Sequence, residues 1–170
     1  MQKLDKHFLD TNRLTLSLVS SHDAAFMLEI LNTKEWLMFI GDRNVTNLLD
    51  AEAYIEKIKA TPDFYYWVVK NKEDNTSIGI VSLIKRAHLR SFDLGFAFLP
   101  TYFGNGFAFE ASHCILNFAN FQLNLSPLLA CTMPSNIASI RLLNRLGFAF
   151  ERELLDDNQE QIHIYSCSFM

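Results

Sequence analysis

The chain has 170 residues, 49% of them hydrophobic and 20% charged, with a net charge of −4. That length favours one compact domain over residues 1–170. The weak negative charge argues against a nucleic-acid binder, which needs a basic face. No run approaches the roughly 18 apolar residues of a membrane span. Cys114, Cys131 and Cys167 are too far apart for a zinc or redox motif, so no metal is expected. A sparse, odd cysteine count and the lack of an apolar leader in Met1–Asp10 point to the cytoplasm.

Arg13–Val19 alternates apolar and polar residues, the pattern of a half-buried strand. Ser21 is a candidate cap for the helical AAFMLEIL stretch that follows Asp23. Thr33–Asn47 mixes signals and reads as short helical turns and loop. Leu49–Ala60 is an amphipathic helix with Tyr54, Ile55 and Ile58 on one face, and Pro62 marks its end. Phe64–Lys70, Ser77–Ile84 and Phe92–Leu99 are aromatic and β-branched, and their short connections predict an antiparallel meander. Lys85, Arg86, His88 and Arg90 fall between two of these strands and read as a solvated hairpin turn. Most of the fifteen phenylalanines read as core.

Pro100 stops the third meander strand, and a helix is expected over Phe107–Phe121. Leu128–Met133 reads as a buried strand and Asn136–Leu146 as a helix with Gly147 at its C′ position. Phe148–Glu153 and Ile162–Phe169 read as a closing hairpin. The order predicts a mixed α/β sheet of six to seven strands, mostly antiparallel, with helices on its faces.

The stretch from Leu99 to Ala108 (LPTYFGNGFA) passes from strand through a two-glycine loop into a helix. Successive backbone N–H groups from Phe103 to Phe107 can converge there, and the helix N-terminus adds roughly half a positive charge. Together they suit a pyrophosphate. Gly104 and Gly106 would let phosphates approach where a side chain blocks them. No G-K-[ST] follows, and Phe109 stands where a dinucleotide fingerprint needs a third glycine. A plain strand-to-helix turn explains the short motif equally well. Asn136 can cap its helix, with Ser139 three residues on and Ile140, Leu143 and Leu146 as the buried stripe.

The glycine loop followed by N-x-x-S-x-x-L-L-x-x-x-G-F resembles the GNAT superfamily of N-acetyltransferases. Thr11–Leu14, Phe39–Asp42, Tyr66–Val68, Ile78–Gly79 and Asp93–Gly95 are similar to the branch that contains the ribosomal-protein N-terminal (alanine) acetyltransferases. The ordered match runs from about Leu9 to Phe169.

The resemblance implies a twisted sheet with a splayed cleft for acetyl-CoA. The pantetheine arm would lie along Phe98 and Leu99. A backbone N–H near Leu99 would bond the thioester carbonyl and stabilise its developing charge. Phe103, Gly104, Asn105, Gly106, Phe107 and Ala108 would cradle the pyrophosphate. Thr101 replaces a Gln or Arg that the family often has. Asn136 would contact pantetheine or fix its helix. Ser139 would serve the leaving thiolate, since Leu143 stands where many relatives carry a tyrosine acid. Asp93 is the candidate base, against the alternative of an exposed strand carboxylate; Glu35 and Glu153 are weaker candidates. Cys131 reads as packing. Trp36, Phe39 and Asp42 would line the amine pocket.

The implied reaction is direct acetyl transfer to a primary amine, either a protein N-terminus, a polyamine or another small amine. The alternative is a module that keeps the fold and binds CoA or a partner without turnover. An edge strand could pair two copies into a homodimer.

Overall fold

The computed structural model describes residues 7–156 and 158–169. The chain opens with β1 (Phe8–Asp10) and β2 (Leu14–Leu18), a tight antiparallel pair. A single 3-10 turn at Ser21–Asp23 leads into α1 (Ala24–Leu31). Ser21 does not cap α1: it opens the 3-10 turn, Asp23 stands at the N-cap of α1, and the Asp23 carboxylate accepts from the Ser20 N–H at 2.9 Å and from its hydroxyl at 3.0 Å. Next come α2 (Lys34–Phe39), capped by Thr33, and α3 (Leu48–Ala60), capped by Asn47. The meander is β3 (Phe64–Asn71), β4 (Ser77–Lys85) and β5 (Phe92–Phe98). Then follow α4 (Phe107–Leu123), β6 (Leu128–Thr132), α5 (Ile137–Arg145), β7 (Ala149–Leu155) and β8 (Gln161–Cys167).

The described residues form an eight-stranded sheet in the order β1-β2-β3-β4-β5-β6-β8-β7. The strand beyond the expected six to seven is β1, whose three residues are too short for a periodic signal. The meander and the closing hairpin form as expected, but the hairpin places β8, not β7, beside β6.

Alternation along each strand builds two large cores, with a small third cluster of Leu89, Leu129 and Ile164. Trp67 and Val69 of β3 pack with Phe98, Ile115 and Phe118 on the α4 face. Val68 packs with Met27, Ile30 and Ile55 on the face covered by α1 and α3. Both sets are buried, so the sheet is enclosed where the meander lies.

The β5–β6 junction is the exception to regular pairing. It is parallel, and only Asp93 and Leu129 are in register. By contrast, β4 and β5 pair continuously from Gly79–Phe98 to Lys85–Phe92. Just past the single pair, the Cys131 N–H donates to Asp93 Oδ1 at 3.1 Å, where a parallel ladder would supply a backbone carbonyl. The other oxygen, Oδ2, accepts from Arg86 Nε at 2.7 Å. Beyond this clasp the two strands separate, leaving a fork that opens towards Phe98 and Thr132.

The Phe98 ring is seated by Gly79 on the neighbouring strand, where an added Cβ would lie 2.3 Å from the ring. Gly79→Ala is therefore expected to cost about 1–3 kcal/mol through overpacking, measured by urea unfolding. An unchanged midpoint would show that the ring has room to move.

Candidate active site

The loop after β5 is shaped by two positive φ angles. A 3-10 turn at Pro100–Tyr102 reverses the chain, and Gly104 and Gly106 both adopt φ 77°. This left-handed conformation is the immediate reason for glycine at each position. An added Cβ at Gly104 would meet nothing within 4 Å, so the loop leaves open space on that side. Asn105 turns its amide inward, donating to the carbonyls of Tyr102 at 3.3 Å and Phe103 at 3.2 Å.

Gly106 is the N-cap of α4, and no side chain caps the helix. The first intrahelical bond runs from Glu110 N to Gly106 O at 3.0 Å. The N–H groups of Phe107, Ala108 and Phe109 therefore lack intrahelical acceptors and carry the positive end of a long helix. Phe103 is exposed at the loop's rim. Together these groups fit an anion of pyrophosphate type.

Arg13 was not legible as part of this site. Its Nη1 donates to Asn105 O at 3.0 Å, its Nε pairs with Glu110 Oε2 at 2.7 Å, and its guanidinium lies 4.4 Å from the Phe107 ring centre. Glu110 also accepts from Thr11 Oγ1 at 2.6 Å and from the Arg13 N–H at 2.8 Å. Burial works against it, but these hydrogen bonds from Thr11 and Arg13 hold the Glu110 carboxyl below its ordinary value. The β1–β2 turn is thereby lashed to the first turn of α4. No sequence signal links residues so far apart.

Within the fork, the Leu99 N–H is not available for a ligand, because it donates to Ile78 O at 2.9 Å. N–H directions alternate along a strand, so the Phe98 N–H points away from β4 and into the gap towards β6. Of the backbone N–H groups near Leu99, that of Leu99 itself is therefore taken and that of Phe98 is left free of β4. On the other side of the gap, Asn136 Oδ1 accepts from the Ser139 N–H at 3.1 Å, capping α5 as expected. Ser139 is half-buried in the first turn of that helix, and Leu143 is buried in the core beneath it. Gly147 has φ 89°, as a C′ residue requires.

Asp93 is not an exposed strand carboxylate. It is 4% exposed and sits at the closed end of the fork, on the face opposite α4. Burial pushes its carboxyl above the ordinary value, while Arg86 and Cys131 pull it back. Arg86 correspondingly leaves the solvated turn to pair with it, its side chain 41% exposed. The Cys131 thiol is pushed up, first by burial and then by Asp93, which disfavours a nucleophilic thiolate. Glu153 lies on the other face, where it stands 3.8 Å from His163.

The three candidate pocket residues are not gathered together. Trp36 is 5% exposed, packed in the α1–α3 core with its indole N–H donated to Gly41 O at 3.1 Å. It holds the loop after α2 and does not line a pocket. Phe39 is half-buried at the end of α2. Asp42 is exposed, and its Oδ1 accepts from the Asn44 N–H at 2.7 Å. Among the described residues no three His, Cys, Asp or Glu side chains are grouped to hold a metal. A shallow concavity of about 600 Å3 lies outside the fork, over the outer side of α4 and lined by Arg13, Glu110 and His113.

The half-open mixed sheet thus sets an uncapped helix N-terminus, suited to an anion, at the mouth of a gap between two strands. The sequence profile of the acetyltransferase (GNAT) domain matches residues 13–149. The chain belongs to the GNAT family of N-acetyltransferases, whose cosubstrate is acetyl-CoA. It is 30% identical over 102 residues to the uncharacterized N-acetyltransferase YnaD of Bacillus subtilis, a match covering 60% of this chain and 59% of that protein. The chain therefore spans less than two thirds of that relative's length.

The fold is similar to that of a ribosomal-protein-S5-alanine acetyltransferase from Vibrio fischeri. The TM-score is 0.80 at 20% identity, over 95% of this chain and 96% of that one. It is likewise similar to the spermidine N-acetyltransferase of Vibrio cholerae in complex with CoA and spermine. There the TM-score is 0.79 at 20% identity, over 93% and 96% of the two chains.

Gly106→Val forces a β-branched residue into φ 77°. At 100 times the dissociation constant, acetyl-CoA should stabilise the unaltered protein by about 2.7 kcal/mol. The variant is expected to lose most of the corresponding thermal shift. Equal shifts in the two proteins would remove the loop from the cofactor site.

Proposed function

We propose that the chain transfers an acetyl group from acetyl-CoA to a primary amine by direct attack in a ternary complex. The observation that carries this reading is the uncapped start of α4 at the mouth of the β5–β6 fork. Acetyl-CoA supplies an activated acetyl thioester. The loop from Phe103 to Ala108 holds the pyrophosphate through backbone N–H groups, with Arg13 bracing it. Phe98 and Leu99 flank the pantetheine arm, and the Phe98 N–H is the donor for the thioester carbonyl. Asn136 fixes the first turn of α5, so that Ser139 faces the gap and donates to the departing sulfur.

A free alkylamine has a pKa near 10.4, so most of it is protonated at neutral pH and must lose a proton to attack. Asp93 is the buried carboxylate at the closed end of the fork, and the proton reaches it through a relay of waters along β5. Cys131, with its raised thiol, takes no covalent acetyl group. Protein N-termini, polyamines and other small amines all satisfy this chemistry. Phe39 and Asp42 border the side from which the amine enters. The burial of Leu143, which leaves no acid at that position, favours a second reading in which CoA binds without turnover.

A base works only when ionised, and burial raises the Asp93 carboxyl above its ordinary value. The kcat/KM for acetyl transfer is therefore expected to fall as pH drops, with its midpoint above that of an ordinary aspartate. Asp93→Asn should be slower and should lose this acid limb while still binding acetyl-CoA. A limb that persists in the variant removes Asp93 as the base. Ser139→Ala should lower kcat more than it alters KM; an undiminished kcat removes Ser139 from the chemistry.

A further inference from the structure

The acceptor face of the fork is lined by guanidinium and phenol groups. Tyr66 of β3 is in register with Ser82 of β4, which is in register with Gly95 of β5. This row lies on the same face as Asp93, and the Ser82 hydroxyl fills the space that a side chain at Gly95 would take. Arg86 reaches over this row from the β4–β5 turn. Its Nε is fixed by Asp93 at 2.7 Å, and its two Nη groups have no acceptor among the described residues. A guanidinium held by one edge and partly exposed on the other offers a planar fork of N–H groups.

Arg43 approaches from the loop between α2 and α3. It is exposed, has no ion pair or hydrogen bond among the described residues, and lies beside Gly41, with Nη1 3.6 Å from where a Cβ would stand. Both Arg43 and Arg86 act electrostatically on the Tyr66 phenol, and Tyr54 of α3 packs in the same apolar cluster as Tyr66. Arg152, on the edge strand β7 beyond β8, shares a face with Cys131 and is paired with Glu151. The carboxylate within this group, Asp93, is already neutralised by Arg86. A polycationic amine would meet like charge at Arg43 and Arg86, and the exposed Asp42, next to Arg43 in sequence, is the counter-charge it would have to reach.

We propose that the acceptor is a small primary amine carrying an anionic group, a carboxylate or a phosphate. The anion docks on Arg43, Arg86 and the Tyr54–Tyr66 phenol pair, while the amine points along β5 to the thioester. Gly95 and Phe98 are three residues apart, about 10 Å along a strand. That span suits a short chain between the anion and the nitrogen. This inference rests on the acetyltransferase reading and narrows its substrate class.

The test compares 4-aminobutanoate, 4-aminobutanamide and 1,4-diaminobutane, with 3-aminopropyl phosphate separating phosphate from carboxylate preference. Turnover with acetyl-CoA is measured alongside calorimetric binding to the CoA-saturated protein. The anionic amines are expected to exceed the amide and the diamine in kcat/KM and in affinity by about tenfold or more, the scale of a charge-assisted hydrogen bond. Arg43→Ala should bring the ratio of carboxylate to amide towards one, and Arg43→Glu should favour the diamine. Arg43 is exposed and unpaired, so both variants should fold, with far-UV circular dichroism as the check. Preference for the amide or diamine, or a ratio that Arg43→Ala leaves unmoved, overturns the inference. Selective binding of the anionic amines without turnover of any amine would uphold it and overturn the catalytic reading instead.

Discussion

The Asp93 carboxylate holds the Cys131 N–H on one oxygen and Arg86 on the other, at the last point where β5 and β6 remain in register. A parallel ladder continued past that point would zip the two strands together. The side chain occupies the donor that the next rung needs, so the ladder ends there. Ionised carboxylates are costly to bury unless paired and hydrogen-bonded. Arg86 and Cys131 together meet that requirement. Breaking one side of such a pair leaves an uncompensated charge, which is commonly far more destabilising than an exposed ion pair is stabilising.

Every group assigned to acetyl-CoA stands downstream of this clasp. Separation of the strands leaves the Phe98 N–H without a partner strand and exposes the start of α4. Two further devices keep the gap in shape. Gly79 removes the bulk that would displace the Phe98 ring. Glu110 ties Thr11 and Arg13 to the first turn of α4 and keeps the glycine loop in place. The inner end of the same gap is where the acceptor must meet the thioester, and Arg86 stands there. The residue that neutralises Asp93 thus also sets the charge of the acceptor face.

Much of this was legible in the sequence, for identifiable reasons. The meander, α4, α5 and the glycine loop carry strong local signals: β-branched runs, turn glycines and an Asn cap. Positive φ at Gly104, Gly106 and Gly147 is local information as well. What failed to show depends on pairing across the fold. β1 is too short to carry a period. The choice between the N–H groups of Phe98 and Leu99 is fixed by register with β4, which the sequence of β5 alone does not contain. Arg86 looked like a solvated turn residue because its partner lies across that turn and only folding buries it. Trp36 looked like a pocket aromatic, yet its indole reaches Gly41 and its ring completes the core. Arg13 belongs to the cofactor loop only through Glu110.

The most direct test of the central claim is backbone amide hydrogen exchange with and without acetyl-CoA. If the fork and the uncapped helix start form the cofactor site, new protection will concentrate at Phe98 and at Phe107–Phe109, with little change on the outer strands. Protection confined to the outer side of α4, or none at saturating acetyl-CoA, would contradict the account.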